Sequence, residues 1–260
     1  MSADEFQKKE GYFIQGLWYP RVTSICQIKN KPALYYFYAR AENYEEADLK
    51  KNQAAAEGTM IHHILEKIII GDGFVVPEQY LGIKKAFDDF IKNHAFHSRK
   101  EWLERRVKHS NHRYSGTFDI LAEVDGELAI VDLKSSASIY RDYRLQTAAY
   151  LSAINEEPWL LDENGNKYLI PNEVTKRYVL RINQKRICEK CGATMKLRSM
   201  GNKIEANKNS NGCQHQWGEI LGEWELKEFD QPEVDFQAFI NAKGLWEWEN
   251  QEILGRIGYL

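Results

Sequence analysis

The stretch from Tyr114 to Lys134, YSGTFDILAEVDGELAIVDLK, decides the fold of this chain. Residues 116–124 and 127–133 are rich in apolar side chains. Asp125-Gly126 between them is a strong signal for a two-residue hairpin turn. The sequence therefore predicts two adjacent antiparallel strands.

The register of this hairpin brings two acidic residues together. With Asp125-Gly126 as the turn, Asp119 lies opposite Asp132, and Thr117 lies opposite Lys134. Directly opposed residues share a face, with Cβ atoms about 4.5–5.5 Å apart. Two carboxylates at that spacing repel, and a divalent metal with oxygen ligands is the simplest compensating cation.

Both faces of the hairpin are apolar, which is typical of central strands covered on both sides. One face carries Leu121, Leu128 and Ile130, and the other carries Phe118, Ile120, Ala122, Val131 and Leu133. We therefore expect an α/β fold with a mixed central β-sheet flanked by helices.

Lys134 follows Asp132 by two residues, so the pleat directs both side chains to the same face. A metal held by two carboxylates, with an ammonium group beside it, suits hydrolysis of a phosphodiester. A lone Asp-x-Lys is usually a solvated strand end. The register with Asp119 favours the catalytic interpretation here.

Two helices supply further polar pairs. Residues 54–70 have apolar side chains at helical spacing, and His62 and Glu66 project from one face. Residues 143–154 form a second predicted helix, in which Gln146 and Tyr150 share a face. Either pair taken alone is more often part of a core or a solvated surface.

Together these segments resemble the PD-(D/E)XK nuclease superfamily, and within it the RecB-like exonucleases. That branch includes the mitochondrial genome maintenance exonuclease and the CRISPR-adaptation nucleases. The matching motifs are GTFD at 116–119, DLK at 132–134, QTAAY at 146–150 and G-T-x-x-H-x-x-x-E at 58–66. The resemblance implies a restriction-endonuclease-like core.

The resemblance also implies a site. His62, Asp119 and Asp132 would hold Mg²⁺ or Mn²⁺, with the carbonyl of Leu133 as a further ligand. Lys134 would orient the attacking water. Gln146 and Tyr150 would shape the phosphate pocket and contact DNA.

A predicted strand at 102–107 precedes the hairpin and contributes charge near this site. Arg105 and Arg106 begin a basic run, and we expect them to contact DNA phosphates. Glu104 is a possible additional acidic group, but a glutamate at a strand edge is usually solvated, so it is not among the predicted ligands.

Residues 186–217 have a different character, with many Gly, Asn and Lys residues and few that could form a core. Two close pairs, Cys188 with Cys191 and Cys213 with His215, fit a closed tetrahedral zinc site. We expect a structural zinc-knuckle insertion, whose Lys196 and Arg198 could also touch DNA. An iron–sulfur cluster that uses Cys26 and the three late cysteines is the less favoured alternative.

The amino-acid composition limits the class of protein that this chain can be. Charged residues make up 28% of the 260-residue chain, the net charge is −3, and there is no long apolar run or signal peptide. These features predict a single intracellular, cytoplasmic domain over residues 1–260 with no membrane partner. Residues 1–17 are expected to be loosely ordered.

The sequence thus predicts a divalent-metal-dependent DNA exonuclease acting on single strands or DNA ends, in repair, recombination or replication. Two alternatives stay open. One is a non-catalytic DNA-binding subunit of a recombination complex, and the other is a structure-specific endonuclease on the same fold.

Overall fold

Helices account for much of the chain. The computed structural model describes residues 1–29, 32–162, 164–170, 172–198 and 201–260. The α-helices in these ranges are α1 (Ala3–Glu10), α2 (Val22–Cys26), α3 (Pro32–Arg40), α4 (Tyr44–Ile70), α5 (Leu81–Asn93), α6 (Tyr143–Glu156), α7 (Pro232–Glu249) and α8 (Gln251–Arg256).

The strands are β1 (Gly11–Ile14), β2 (Leu17–Pro20), β3 (Phe96–His97), β4 (Leu103–His109), β5 (Tyr114–Val124), β6 (Glu127–Lys134), β7 (Trp159–Leu161), β8 (Lys167–Leu169), β9 (Lys176–Ile187), β10 (Thr194–Lys196), β11 (Lys203–Glu205) and β12 (Leu221–Glu228). All but β1 and β2 form a 10-stranded sheet with the order β11-β10-β9-β6-β5-β4-β7-β8; β12 also pairs with β9, and β3 with β5. Strand β6 runs parallel to β9 and antiparallel to β5, so the sheet is mixed.

The predicted hairpin is confirmed. Asp125 and Gly126 have φ values of 52° and 89°, as a two-residue turn with left-handed central residues requires. The paired residues run from Val124 opposite Glu127 to Ile120 opposite Val131. Backbone pairing between β5 and β6 ends at this last pair.

Helices cover both faces of the sheet, as the two-sided apolar pattern predicts. On one face α4 and α5 pack on Ile120, Ala122, Val131 and Leu133. On the other, α2, α6 and α7 pack on Leu121, Leu128 and Ile130. The position predicted for Phe118 is wrong, because this ring packs with Leu121 and not with Ile120.

Strand β4 is irregular opposite Phe118. Between β4 and β5, Leu103 pairs with Ile120 and Arg105 with Phe118, whereas Glu104 and Asp119 lie between these pairs. Glu104 has a φ of 48°. A left-handed residue breaks the alternation of faces along its own strand. The strict period of two therefore fails in β4, next to the position where Phe118 departs from it in β5.

One helix is longer than predicted. Helix α4 begins ten residues before 54, at Tyr44, because Asn43 caps it through a bond from the Glu46 amide. Helix α5 ends at Asn93 and is followed by β3. The last helical segment is divided at Asn250 into α7 and α8.

The N-terminal segment is ordered, contrary to the prediction for residues 1–17. Ser2 and Glu5 form a reciprocal capping box at the start of α1. The rings of Phe6 and Trp18 pack on Trp246 of α7. These aromatic contacts come from the far end of the chain, so local sequence did not indicate them.

Within the described ranges, no helix is both long enough and apolar enough to cross a membrane.

Candidate metal centres and catalytic cleft

His62 projects from α4 toward the end of the hairpin strands. Its Nε2 lies 3.1 Å from the carbonyl oxygen of Leu133. Its Nδ1 lies 3.6 Å from Oδ1 of Asp119 and 3.7 Å from Oε1 of Glu104. Ligand atoms of His62, Glu104 and Asp119 are all within 4.8 Å of one another, close enough to share a metal ion.

Asp119 holds the end of β6 with its side chain. Its Oδ2 accepts a hydrogen bond of 2.6 Å from the Leu133 amide. The predicted facing pairs, Asp119 with Asp132 and Thr117 with Lys134, lie beyond the last paired residues of the ladder. A carboxylate thus replaces the backbone partner at the point where the two strands separate.

Glu104 joins the cluster although the sequence left it out of the predicted ligands. Its side chain is 40% exposed, and its left-handed backbone turns the carboxylate toward His62. Such a backbone conformation costs of order 1–3 kcal/mol for a residue other than glycine and is concentrated at functional sites. The sequence could have indicated this role of Glu104, because an acidic residue is unusual in a strand at the centre of a sheet.

Asp132 is completely buried and forms an ion pair with Lys134. Apart from this contact, neither carboxylate oxygen has a hydrogen-bond partner among the described residues. Burial raises the pKa of Asp132 to about 6, with a further increase from the charge on Asp119, while Lys134 opposes both. Burial lowers the pKa of Lys134, but the two aspartates outweigh it and the net shift is upward.

The surrounding groups carry excess negative charge. Burial lowers the pKa of His62, yet Asp119 and Glu104 more than offset it and raise the value to about 9. Burial raises the pKa of Glu66 to about 7, with a further contribution from Glu104. Protons bound to His62 and Glu66 therefore offset negative charge that a metal cation could offset instead.

The donor set fits a divalent cation. The carboxylates of Glu104 and Asp119 and an imidazole nitrogen of His62 converge within one small volume. Mg²⁺ and Mn²⁺ take such oxygen-rich ligands. Asp132 is not in this group and is neutralised by Lys134, and the Leu133 carbonyl lies at the other ring nitrogen of His62.

Gln146 and Tyr150 lie on α6 as predicted, and the Gln146 amide donates to the Tyr150 hydroxyl at 3.1 Å. Tyr150 is 1% exposed and packs in the main core. Direct contact of Tyr150 with DNA, as predicted, does not fit this burial. The Tyr150 ring instead packs in the core against residues of the hairpin strands, near Asp132.

A cleft of about 940 Å³ opens beside His62 and Lys134. Its walls include Lys50 and Lys51 from α4 on one side and Arg198 from the predicted insertion. Ser135, Ser136 and Tyr143 also line it. Three of the lysines on its walls, Lys50, Lys51 and Lys134, each form an ion pair with an acidic residue, Glu46, Asp48 and Asp132, which offsets their charge.

Arg105 and Arg106 lie outside this cleft. Arg105 donates to the carbonyls of Lys100 and Glu101. Arg106 lies 4.0 Å from the ring centroid of Tyr12 and lines a separate cavity of about 270 Å³. The structure does not bring the two arginines to the candidate metal ligands, and their contact with DNA stays a prediction.

The four predicted zinc ligands do come together. Ligand atoms of Cys188, Cys191, Cys213 and His215 lie within 4.8 Å of one another. The Sγ atoms of Cys188 and Cys213 are 4.0 Å apart, and Cys191 Sγ is 3.4 Å from His215 Nδ1. Zn–S bonds of about 2.3 Å place tetrahedral ligands at about this separation.

The local structure favours metal binding over packing alone. Only Ala193 and Trp217 join the three cysteines in the apolar cluster there. Gly192 has a φ of 73°, the left-handed conformation that a tight knuckle after Cys191 needs. Burial raises the pKa of Cys188, but bonds from backbone amides and His215 lower it to about 5, which favours the thiolate.

Cys26 is not part of this group. It is buried in α2 and belongs to the main core. The observed cluster takes its fourth ligand from His215, which is the arrangement of the zinc prediction.

Neither the comparison with protein-family models nor the comparison with curated proteins found a match for this chain.

Proposed function

We propose that this protein is a divalent-metal-dependent deoxyribonuclease of the RecB-like PD-(D/E)XK type, acting as an exonuclease on single-stranded DNA or DNA ends. Repair, recombination or replication would be its setting. One observation carries the proposal. The buried Asp132–Lys134 pair adjoins a convergent group of His62, Glu104 and Asp119 that fits a divalent cation.

Each of these side chains has a part in phosphodiester hydrolysis. His62, Glu104 and Asp119, whose ligand atoms lie together, would hold Mg²⁺ or Mn²⁺. The predicted ligands Asp132 and the Leu133 carbonyl adjoin this group, the carbonyl at the other ring nitrogen of His62. The metal would supply positive charge to the scissile phosphate and make water a better nucleophile.

Lys134 would orient that water. Its ammonium is held in place by Asp132 and lies 5.0 Å from the ring centroid of Tyr143. An ammonium that is fixed before the reaction need not reorganise as negative charge develops, and preorganised charge of this kind lowers the barrier.

The cleft supports DNA as the substrate. Arg198 places positive charge on its rim, while the whole chain has a net charge of −3. Lys50 and Lys51 also line the cleft, but they form ion pairs with Glu46 and Asp48 of the same helix. Phosphate contacts of this kind position a strand without reading its sequence. We therefore expect cleavage with little sequence preference.

The test is a cleavage assay on circular and linear DNA, single- and double-stranded, with Mn²⁺ or with a chelator. We expect Mn²⁺-dependent degradation of linear single strands or of ends. Asp132→Ala and Lys134→Ala should each reduce the rate by about 1,000-fold or more, since about 4 kcal/mol of transition-state stabilisation corresponds to that factor.

Asp72→Ala and Lys92→Ala are matched controls, because both side chains lie exposed outside the cleft. Cleavage of circular DNA would support an endonuclease instead. Binding without any cleavage would support the non-catalytic subunit, and full activity of both cleft variants would exclude the proposed site.

A further inference from the structure

The two residues that follow Lys134 are held by side chains from outside the hairpin. The carbonyl of Ser135 accepts a 2.8 Å hydrogen bond from the Arg198 guanidinium. The carbonyl of Ser136 accepts one of 3.0 Å from the Asn183 amide. Arg198 also donates to Oδ1 of Asn183 at 3.0 Å, so the three groups form one connected network.

Arg198 comes from the segment that contains the Cys/His cluster. Strand β10 pairs with the end of β9, and the Leu197 amide bonds to the Gln184 carbonyl. At the other end of β10, the Cys188 amide bonds to the Ala193 carbonyl inside the cluster. A short, paired strand therefore joins the cluster to Arg198.

The cluster end of this segment has little core of its own. Its apolar group is small, consisting of the three cysteines with Ala193 and Trp217. A cluster with so few buried side chains relies on a bound metal for its folding free energy. When the metal leaves, β10 keeps its pairing with β9 but is no longer fixed at the cluster, so Arg198 is held less firmly.

We propose that the Cys188–Cys191–Cys213–His215 cluster positions the candidate catalytic lysine through Arg198, which fixes the backbone that follows Lys134. Arg198 is thus a positioning residue as well as a wall of the cleft. A guanidinium makes comparatively strong hydrogen bonds to a carbonyl, and it holds Ser135 where the strand leaves the sheet. The effect on catalysis rests on the proposed nuclease function, whereas the effect on backbone order does not.

Hydrogen exchange followed by mass spectrometry tests the structural part directly. The zinc-loaded full-length protein is compared with the chelator-treated protein and with Arg198→Ala. We expect the amides of residues 132–135, at the end of β6, to exchange about ten-fold faster in both, because a charged hydrogen bond contributes about that factor to local stability. Arg198→Lys, which retains one donor group, should restore part of the protection.

Lys190→Ala is the matched control, since this exposed lysine lies between the first two cysteines and makes no contact with Ser135. It should exchange like the wild type. Unchanged exchange at 132–135 in Arg198→Ala would overturn the proposal, as would faster exchange in the chelated protein that stays within 186–217.

Kinetics then separate positioning from substrate binding. For Arg198→Ala we expect kcat to fall about ten-fold, and KM for DNA also to rise because a rim charge is lost. A raised KM with unchanged kcat would assign Arg198 to DNA binding alone and would contradict the positioning role. If the wild type cleaves no DNA, the proposed function fails, and the exchange measurement still decides the structural proposal.

Discussion

Glu104 is the residue whose role depends most on three-dimensional context. It stands in a left-handed conformation beside His62 and Asp119, and a strained residue of this kind persists only where its surroundings fix it. The sequence indicates an acidic group in a strand. It does not indicate that the strand kinks there, because the kink depends on how β4 meets Asp119 of β5.

We expect Glu104→Gln to weaken Mn²⁺ binding by about 10- to 100-fold and to lower cleavage by a similar factor, because it removes one negative ligand while keeping the shape of the side chain. Isothermal titration calorimetry with Mn²⁺ measures the affinity. Glu123→Gln, an exposed glutamate of β5, is the control and should bind like the wild type. Equal affinity in both variants would remove Glu104 from the site.

Glu66 makes the stability of the metal-free protein depend on pH. Its pKa is raised to about 7 by burial and by Glu104, so the folded state holds a proton that the unfolded state releases near pH 4.5. Stability therefore falls as pH rises between these two values. Glu66→Gln should abolish this loss and gain up to about 1 kcal/mol over the wild type at pH 8, after allowance for solvent screening.

Urea unfolding at pH 4 and at pH 8 in a chelating buffer checks the effect of Glu66. At pH 4 the carboxyl is protonated in both states, so the variant and the wild type should be alike. An advantage of the variant at pH 4 that does not grow with pH would show that packing, and not the charge of Glu66, is responsible.

Among the secondary-structure elements, α5 and β12 make the closest backbone approach of the described part of the chain. A Cβ added at Gly222 of β12 would lie 2.3 Å from the Ala86 amide nitrogen of α5. At Gly244 of α7, an added Cβ would have no atom within 4 Å. The close packing of α5 on β12 therefore leaves no room for a side chain at Gly222, whereas there is room for one at Gly244.

We expect Gly222→Ala to destabilise the protein by about 1–3 kcal/mol, because backbone on backbone cannot move aside as a flexible side chain can. Gly244→Ala should instead stabilise it by about 0.5–1 kcal/mol, since alanine favours an exposed helix interior. Urea denaturation at neutral pH measures both. A neutral effect of Gly222→Ala would contradict the close approach of α5 to β12.

Elements with strong local signals were predictable, and those fixed by distant contacts were not. The Asp125-Gly126 turn and the β5–β6 register followed from local sequence and are confirmed. Helix α1 was missed although Ser2 and Glu5 carry the local signal of a capping box; what the local sequence does not show is that Phe6 packs on Trp246, far along the chain. The early end of the ladder was missed because a side chain, Asp119, takes the place of a backbone partner.

For the molecule as a whole, the candidate site is assembled from α4, β4, β5 and β6, with a rim contributed by the Cys/His segment. The residues that carry the resemblance, His62, Asp119, Asp132 and Lys134, were predicted from the sequence. Geometry added Glu104 and Arg198, whose neighbours are separated from them in sequence. The convergence of the four candidate metal ligands was predictable because their close pairs have the spacing of a metal site.

The Cys/His cluster predicts the metal content of the purified protein. We expect the purified protein to contain stoichiometric zinc without the visible absorbance of an iron–sulfur cluster. Cys213→Ser should lose that zinc and lower the thermal midpoint, because the segment has little core of its own. Elemental analysis and thermal unfolding measure both effects.

Cys26→Ser is the matched control, since Cys26 lies in the main core and not in the Cys/His group. It should keep its zinc. Loss of the metal from this variant, or a brown protein with iron, would favour the iron–sulfur alternative.

The parallel pairing of β6 with β9 bears on how the chain is made. Strand β6 carries Asp132 and Lys134, and its second edge stays open during synthesis until α6 has crossed the sheet and β9 has emerged. Parallel pairing of distant segments forms slowly, and an apolar strand with an open edge adheres to other chains meanwhile. Slower synthesis at low temperature should therefore raise the yield of native protein more than any change made to the finished fold.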